Sequence, residues 1–281
     1  LDLHPTRLSI TRIERLRRDP YALYAERILR LTPLQPFGYE KGAREIGVAV
    51  HETLAEFVQA EPHGPLGDGA EDRLLARARE KFAPFLTDPD FFAFRWPRLV
   101  EGLRQMLRFE RLRRATAQEI YVEEKGEWRL SLHDGSTFHL TAVADRIEID
   151  AKGAAFLFDY KTGDPPSDKQ VHVGFAPQLT LEAGMLEAGA FSRVGRHAVE
   201  GAAYVRVRAD GGARWIKPKN GMSFSDLVTK HRDELEALLE QFRDPGRSYP
   251  SRPFVALSAQ EGDYDHLARV KEWSRDGGDE T

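Results

Sequence analysis

The chain has 281 residues, 41% hydrophobic and 31% charged, with 45 acidic against 41 basic side chains and a formal net charge of −4. That length supports a substantial core, the longest apolar runs are too short to span a bilayer, and the negative balance excludes a protein coated with cations for nucleic acid, although a local basic groove is invisible in such a sum. Cysteine is absent, which excludes disulfides, thiolate metal sites and thiol nucleophiles, leaves oxygen and imidazole as metal ligands, and points to the cytoplasm.

The opening Leu1-Asp2-Leu3-His4-Pro5 has neither an initiator methionine nor the basic-then-apolar order of a signal peptide, so a piece excised from a longer chain is expected. Thr11-x-x-Glu14 reads as a capping box for a short helix that carries Ile13 and Leu16 and stops at Asp19-Pro20. A second helix is expected over 21–31, before Thr32-Pro33, and a loop over 38–42. Residues 43–59 place Ile46, Val50, Leu54, Phe57 and Val58 on one helical face. His51 lies beside that stripe, either as a satisfied rim residue or, if the helix edge meets a site, as a ligand. The Gly- and Pro-rich stretch 61–70 reads as a loop, 71–82 as a helix and 97–114 as a longer one. On that longer helix Leu99, Leu103, Met106 and Leu107 form the apolar stripe, with Arg104, Arg108 and Arg111 opposite. Residues 95–114 hold seven Arg against two Glu, which is either a solvated face or a surface that tracks phosphates, for which the guanidinium fork is suited.

From Glu119 the period changes to two. Residues 119–122 and 128–132 read as separate strands, Asp134-Gly135 as a hairpin turn, and Phe138 opens a strand that reaches Asp145 and runs on to a turn at Lys152-Gly153. The apolar run Phe156-Leu157-Phe158 then ends abruptly in Asp159-Tyr160-Lys161-Thr162-Gly163. On a strand, Asp159 and Lys161 share one face and Tyr160 takes the other. The hairpin brings Asp145 close to Asp159. Beyond the loop at Asp164-Pro165-Pro166, Pro177-Gln178-Leu179 opens a helix whose Gln178, in the first turn, can face the strand ends. Residues 204–207 read as a strand, Trp215-Ile216 as a weaker one, 223–242 as a helix and 277–281 as a polar tail. No repeat or linker divides the chain, so one domain over 1–281 is expected: 1–115 mainly helical, 116–210 the catalytic sheet and helix, 211–281 a C-terminal helical part.

Charge at the end of a buried apolar run is costly unless it is used. Two carboxylates, Asp145 and Asp159, suit a hard divalent cation that lowers the pKa of a bound water, and Lys161 beside them can orient that water or stabilise charge on phosphate. His51 and Gln178 arrive from flanking helices. This is a set suited to phosphodiester hydrolysis.

His51 after Gly47, Asp145 in Ala-Asp-Arg-Ile, the run Asp159 to Gly163, and Pro177-Gln178-Leu179 resemble, in order and spacing, the RecB-like branch of the PD-(D/E)XK nucleases. Leu8-Ser9-Ile10 through Asp19-Pro20-Tyr21 also resembles that branch, and the likeness, closest to nuclease domains of the AddB type, covers nearly the whole chain. It implies an α/β fold with a restriction-endonuclease-like core, a mixed central sheet flanked by helices, and an N-terminal helical region. It further implies Asp145, Asp159, the Tyr160 carbonyl and His51 as ligands of Mg2+ or Mn2+, Lys161 as catalytic lysine, and Gln178 as the helix glutamine that positions nucleophile or DNA. The implied activity is that of a metal-dependent DNA exonuclease acting on single strands in recombinational repair of double-strand breaks, with an AddA-like helicase-nuclease partner subunit and no membrane. A stand-alone RecB-like exonuclease, or a non-catalytic DNA-binding module clamping strands with Arg104, Arg108 and Arg111, uses the same fold. Two departures stand out. AddB-type domains often hold an iron-sulfur cluster on four cysteines, one just before the Pro-Tyr of the first helical segment; Asp19 stands there, and with no cysteine no cluster is expected. Glu182 stands where the branch often has Tyr, four residues after the helix glutamine.

Overall fold

The computed structural model of the protein describes residues 4–33, 42–244, 246–254 and 262–273, so most of the loop expected at 38–42 and all of the tail at 277–281 lie outside the described residues. In chain order the elements are β1 (Arg7–Ser9), α1 (Ile10–Arg18), α2 (Pro20–Arg27), α3 (Ala43–Ala60), α4 (Ala70–Lys81), α5 (Ala83–Leu86), a π-helical turn (Phe91–Arg95), and α6 (Trp96–Arg114). There follow β2 (Ala117–Ser131), β3 (Thr137–Asp150), β4 (Ala155–Lys161), α7 (Asp168–His172), α8 (Gln178–Glu187), β5 (Val199–Arg206), β6 (Ala213–Trp215), α9 (Phe224–Arg243) and α10 (Val270–Trp273).

The first helix starts earlier than its capping box suggests. Ser9, the last residue of β1, is the N-cap, its Oγ accepting the Arg12 N–H at 3.3 Å. The box at Thr11 yields because β1 must end where its pairing with β3 ends, at Ser9↔Thr141. Glu14 is thereby free to face the interior. The second helix runs from Pro20, with Asp19 accepting the Ala22 N–H at 3.3 Å, and closes at Arg27 instead of residue 31; the chain leaves through Arg30, whose φ of 57° no helix accommodates.

The sheet is mixed. Its order is β1-β3-β4-β5-β6 with β2 on the remaining edge of β3; β1 with β3 and β4 with β5 run parallel, the other pairs antiparallel. Helices α1, α8 and α9 cover one face, where Leu16, Leu179, Met185, Leu227 and Leu235 join Leu140, Leu157 and Ala202 of the sheet in the larger core. Helices α3, α4 and α6 cover the other, where Val50, Leu54, Leu74 and Leu103 pack with Phe158, Tyr160 and Val205. Residues of β4 thus alternate between the two cores, and Asp159 and Lys161 fall on the α8 side.

One continuous β2 replaces the two strands expected at 119–122 and 128–132. The reason is a phase break. On β3, Leu140, Ala142 and Ala144 pack in the larger core, and then Ile147 and Ile149 do; on β2, Trp128 and Leu130 do, and then Tyr121, while Ile120 and Val122 turn to the smaller core. The alternation slips at Glu123 and Asp145, which lie between the pairs Val122↔Arg146 and Glu124↔Ala144. Glu123 takes the left-handed conformation, with φ 52°. Such a backbone is uncommon outside glycine and here re-aims one side chain per strand.

Beneath this slip lies an ion network. Arg146, fully buried, holds Glu110 and Glu148 at 2.6 Å each, while Arg114 meets Glu110 and Arg113 meets Glu148, both also at 2.6 Å. Burying these charges is tolerable because each carboxylate has two guanidinium neighbours. Helix α6 is thereby tied to β3 directly under Asp145.

Candidate metal and active site

On one edge of β3, β1 pairs only as far as Thr141 and β4 begins only at Arg146. Over 142–145 that edge has no strand partner among the described residues, and the resulting fork is where the site forms. The Asp145 carboxylate stands in for the missing ladder bond: its Oδ2 accepts the Tyr160 N–H at 2.8 Å. The Tyr160 carbonyl in turn accepts from His51 Nε2 at 2.9 Å, and His51 Nδ1 lies 3.2 Å from Asp145 Oδ1. Helix α3 delivers that imidazole because Val50, Leu54, Phe57 and Val58 are buried on its inner face, which leaves His51 at the rim of the core. Burial works against a charged His51, but the hydrogen bond to Asp145 and the charges of Asp145, Asp159 and Glu123 prevail and raise its pKa.

Asp159 is 2% exposed. Lys161 Nζ sits 2.7 Å from its Oδ2, and Gln178 Nε2 donates to its Oδ1 at 2.6 Å. The other end of the Gln178 amide faces Lys161 Nζ at 3.4 Å, so one side chain fixes both members of the pair. Gln178 can do this because Pro177 starts α8 and Glu14 Oε1 accepts the Gln178 N–H at 3.3 Å, at a turn whose donors have no helical partner. Burial, then the charge of Asp145, pushes Asp159 up to about 6 against the pull of Lys161. Burial opposes the Lys161 charge as well, yet Asp159, Asp145 and Glu14 raise its pKa on balance. Glu182, one turn along α8, receives Gln178 Nε2 at 3.2 Å, and burial followed by the charges of Asp159 and Asp145 lifts its carboxyl well above the usual range. Tyr204, opposite Asp159 in the β4–β5 register, carries its ring under the Lys161 ammonium, 5.9 Å from Nζ.

The donor set fits a hard divalent cation. His51, Glu123 and Asp145 each offer a ligand atom, all within 4.8 Å of one another. The Tyr160 carbonyl adjoins them, while Asp159, expected from the sequence as a ligand, is not part of that cluster and has its carboxylate engaged by Lys161 and Gln178. Carboxylate and carbonyl oxygens with imidazole and no sulfur suit a divalent cation, which would also relieve the burial and the Asp145 charge that raise Asp159. Bound there, such a cation supplies Lewis acidity and a water of lowered pKa.

The fork therefore gathers Asp145, Asp159, Tyr160, Lys161, His51 and Gln178. Arg104, Arg108 and Arg111 stay apart on α6. Arg104 is engaged by Glu71 at 2.8 Å and Glu101 at 3.3 Å, Arg108 lies 3.6 Å from Glu101, and Arg111 is exposed. Two members of the site escape a reading of the sequence. Glu123 looks like one of two adjacent strand acids, and its only signal is the break in alternation around it. Glu14 looks like a cap residue and becomes a partner of Gln178. Among the described residues no helix is long and apolar enough to cross a membrane.

The sequence matches the family described as the PD-(D/E)XK nuclease superfamily over residues 7–263. It is similar to uncharacterized proteins of Rickettsia conorii, 31% identical over 192 residues that make up 67% of this chain and 23% of that protein, and of Rickettsia bellii, 30% identical over 189 residues that make up 67% and 22%. A Rickettsia felis protein is 31% identical over 191 residues, again 67% of this chain and 22% of the relative. The chain thus spans under a quarter of the length of these relatives.

Proposed function

The chain belongs to the PD-(D/E)XK nuclease superfamily, and from that premise we propose that it is a metal-dependent deoxyribonuclease of the RecB-like branch. It hydrolyses phosphodiester bonds of single-stranded DNA exonucleolytically, as the AddB-like nuclease part of a helicase-nuclease that works with an AddA-like partner in double-strand break repair. Its use as one part of a longer polypeptide is supported by the small share of the relatives that it spans. The observation that carries the reading is the convergence, in one fork, of Asp145 on Tyr160, His51 on both, and Lys161 with Gln178 on Asp159.

Asp145, His51 and the Tyr160 carbonyl would hold Mg2+ or Mn2+ with Glu123 as a further carboxylate within reach, and Asp159 would join them from its place beside Lys161. Lys161 keeps its positive charge because acids surround it, and that charge stabilises the negative charge that builds on the phosphoryl oxygens as water attacks and the P–O bond breaks. Gln178 holds Asp159 and Lys161 in a fixed mutual geometry before substrate arrives, which removes reorganisation from the reaction. The test is release of nucleotides from labelled single-stranded DNA with Mg2+ or Mn2+. Asp159→Ala and Lys161→Ala should each abolish it; wild-type-like cleavage by both variants would falsify the assignment.

A further inference from the structure

The formal charge of the chain is −4, but its cations are not evenly spread. A groove of about 770 Å³ is lined by Arg7, Lys125 and Arg129, and it reaches Gln178 and Glu182 of the fork. A second groove, of about 710 Å³, is lined by Arg12, Arg15, Arg30 and Arg44. Ser9 and Thr11 line both, so the two meet at the first turn of α1. Among the described residues, four carboxylates stand against these seven cations, Glu127, Glu182, Glu26 and Asp263, of which Glu182 is only 2% exposed. Arg7 and Arg129 share Glu127, at 2.7 and 3.9 Å, and Arg12 and Arg15 share Glu26, at 2.9 and 3.0 Å. Lys125, Arg30 and Arg44 have no carboxylate within ion-pair distance among the described residues. Among the described residues the cations thus outnumber the carboxylates in both grooves.

The first groove is continuous with the site. Thr141, Ala142 and Val143 line it, and these include the part of β3 whose edge is bare between β1 and β4. The bare stretch of four residues is about 13 Å long at the usual strand rise, and Ala142 and Val143 of it face the groove. Among the described residues no aromatic ring lines either groove. The hydroxyl, guanidinium and ammonium groups that line them are ligands of phosphate and carry no sequence information.

We propose that the two grooves form one track for the sugar-phosphate backbone of a single nucleic acid strand, running from Gln178 past Ser9 and Thr11 to Arg30 and Arg44. The proposal rests on the nuclease reading and names the path of that site's substrate. It is tested by fluorescence anisotropy with labelled oligothymidylate long enough to span both grooves, in EDTA so that binding is read without cleavage, over a range of salt. Three exposed cations are replaced together, Lys125→Ala, Arg129→Ala and Arg44→Ala. Each phosphate contact contributes about 0.7 to the log–log salt slope for single strands, so the triple variant should bind more weakly and lose about 2 from that slope. Duplex DNA should compete poorly. Unchanged affinity and slope overturn the track, as does an equal loss when Arg104, Arg108 and Arg111 are replaced instead, which puts the strand on α6. A protein that binds in this variant-sensitive way but never cleaves overturns the nuclease reading and leaves the track; one that cleaves yet binds indifferently to the triple replacement overturns the track alone.

Discussion

Replacement of Arg146 by Met should cost more stability than almost any other single change. The guanidinium is fully buried and holds Glu110 and Glu148 at 2.6 Å each, and those side chains are themselves 5% and 1% exposed. Removing one partner of a buried pair leaves uncompensated charge and costs about 3–5 kcal/mol. Arg114 and Arg113 still contact the two carboxylates at 2.6 Å, so the low end, about 3 kcal/mol, is expected. For a chain of this size that lowers the melting temperature by roughly 6 °C or more. Urea unfolding near neutral pH measures the loss directly. The same variant carrying Glu110→Gln and Glu148→Gln should lose still more, since the buried Arg114 and its neighbour Arg113 then have no carboxylate partner. A loss below about 1 kcal/mol, or a triple variant as stable as the wild type, refutes the account of how α6 is tied to the strand beneath Asp145.

His231 is 2% exposed and hydrogen-bonded to Thr180 at 2.7 Å, and burial brings its pKa down from 6.5 to about 4. The unfolded chain binds a proton in that window that the folded one refuses, so stability is full above 6.5 and falls as the pH drops towards 4, by roughly 3 kcal/mol at most. His231→Gln should flatten denaturation midpoints compared across that range; an equally steep decline in the variant rules His231 out as the cause. Gly126→Ala places a Cβ 2.6 Å from the Phe191 ring and 3.0 Å from the Met185 methyl, an overpacking that should cost about 1–3 kcal/mol in thermal melts. An unaltered melt contradicts that contact. Gln178→Ala should leave circular dichroism unchanged while slowing cleavage well over tenfold, because Asp159 and Lys161 both lose their fixed partner; undiminished cleavage removes Gln178 from the machinery. Since burial lifts the Glu182 carboxyl well above its usual range and so favours its neutral form, Glu182→Gln should preserve stability to within about 1 kcal/mol, and a large loss in urea titrations contradicts that reading of its surroundings.

What could be read from the sequence is what lies within one element or one hairpin. Asp159 and Lys161 are two residues apart on an apolar strand, so their shared face follows from the pleat alone, and the turn at Lys152-Gly153 brings Asp145 to them. Gln178 was legible because Pro177 fixes where α8 begins. Glu123 was not, since its role depends on the slip of alternation in two paired strands and on a left-handed backbone that no composition signals. The three residues of β1 are too few for a period, and their pairing with β3 is what moves the cap of α1 to Ser9. The run of arginines on α6 looked like an open surface because Glu71, which engages Arg104, comes from another helix, and no local pattern announces that contact.

The central claim is that the fork at Asp145 and Asp159 holds a divalent cation for hydrolysis. Electron paramagnetic resonance of free Mn2+ during titration with the protein measures this without substrate. The wild-type chain should remove Mn2+ signal to saturation near neutral pH, and Asp145→Ala and Asp159→Ala, with unaltered circular dichroism, should not. A wild-type chain that leaves the Mn2+ signal untouched while still binding single-stranded DNA would contradict the account, and would make the protein a strand-holding module that keeps the fold without its chemistry.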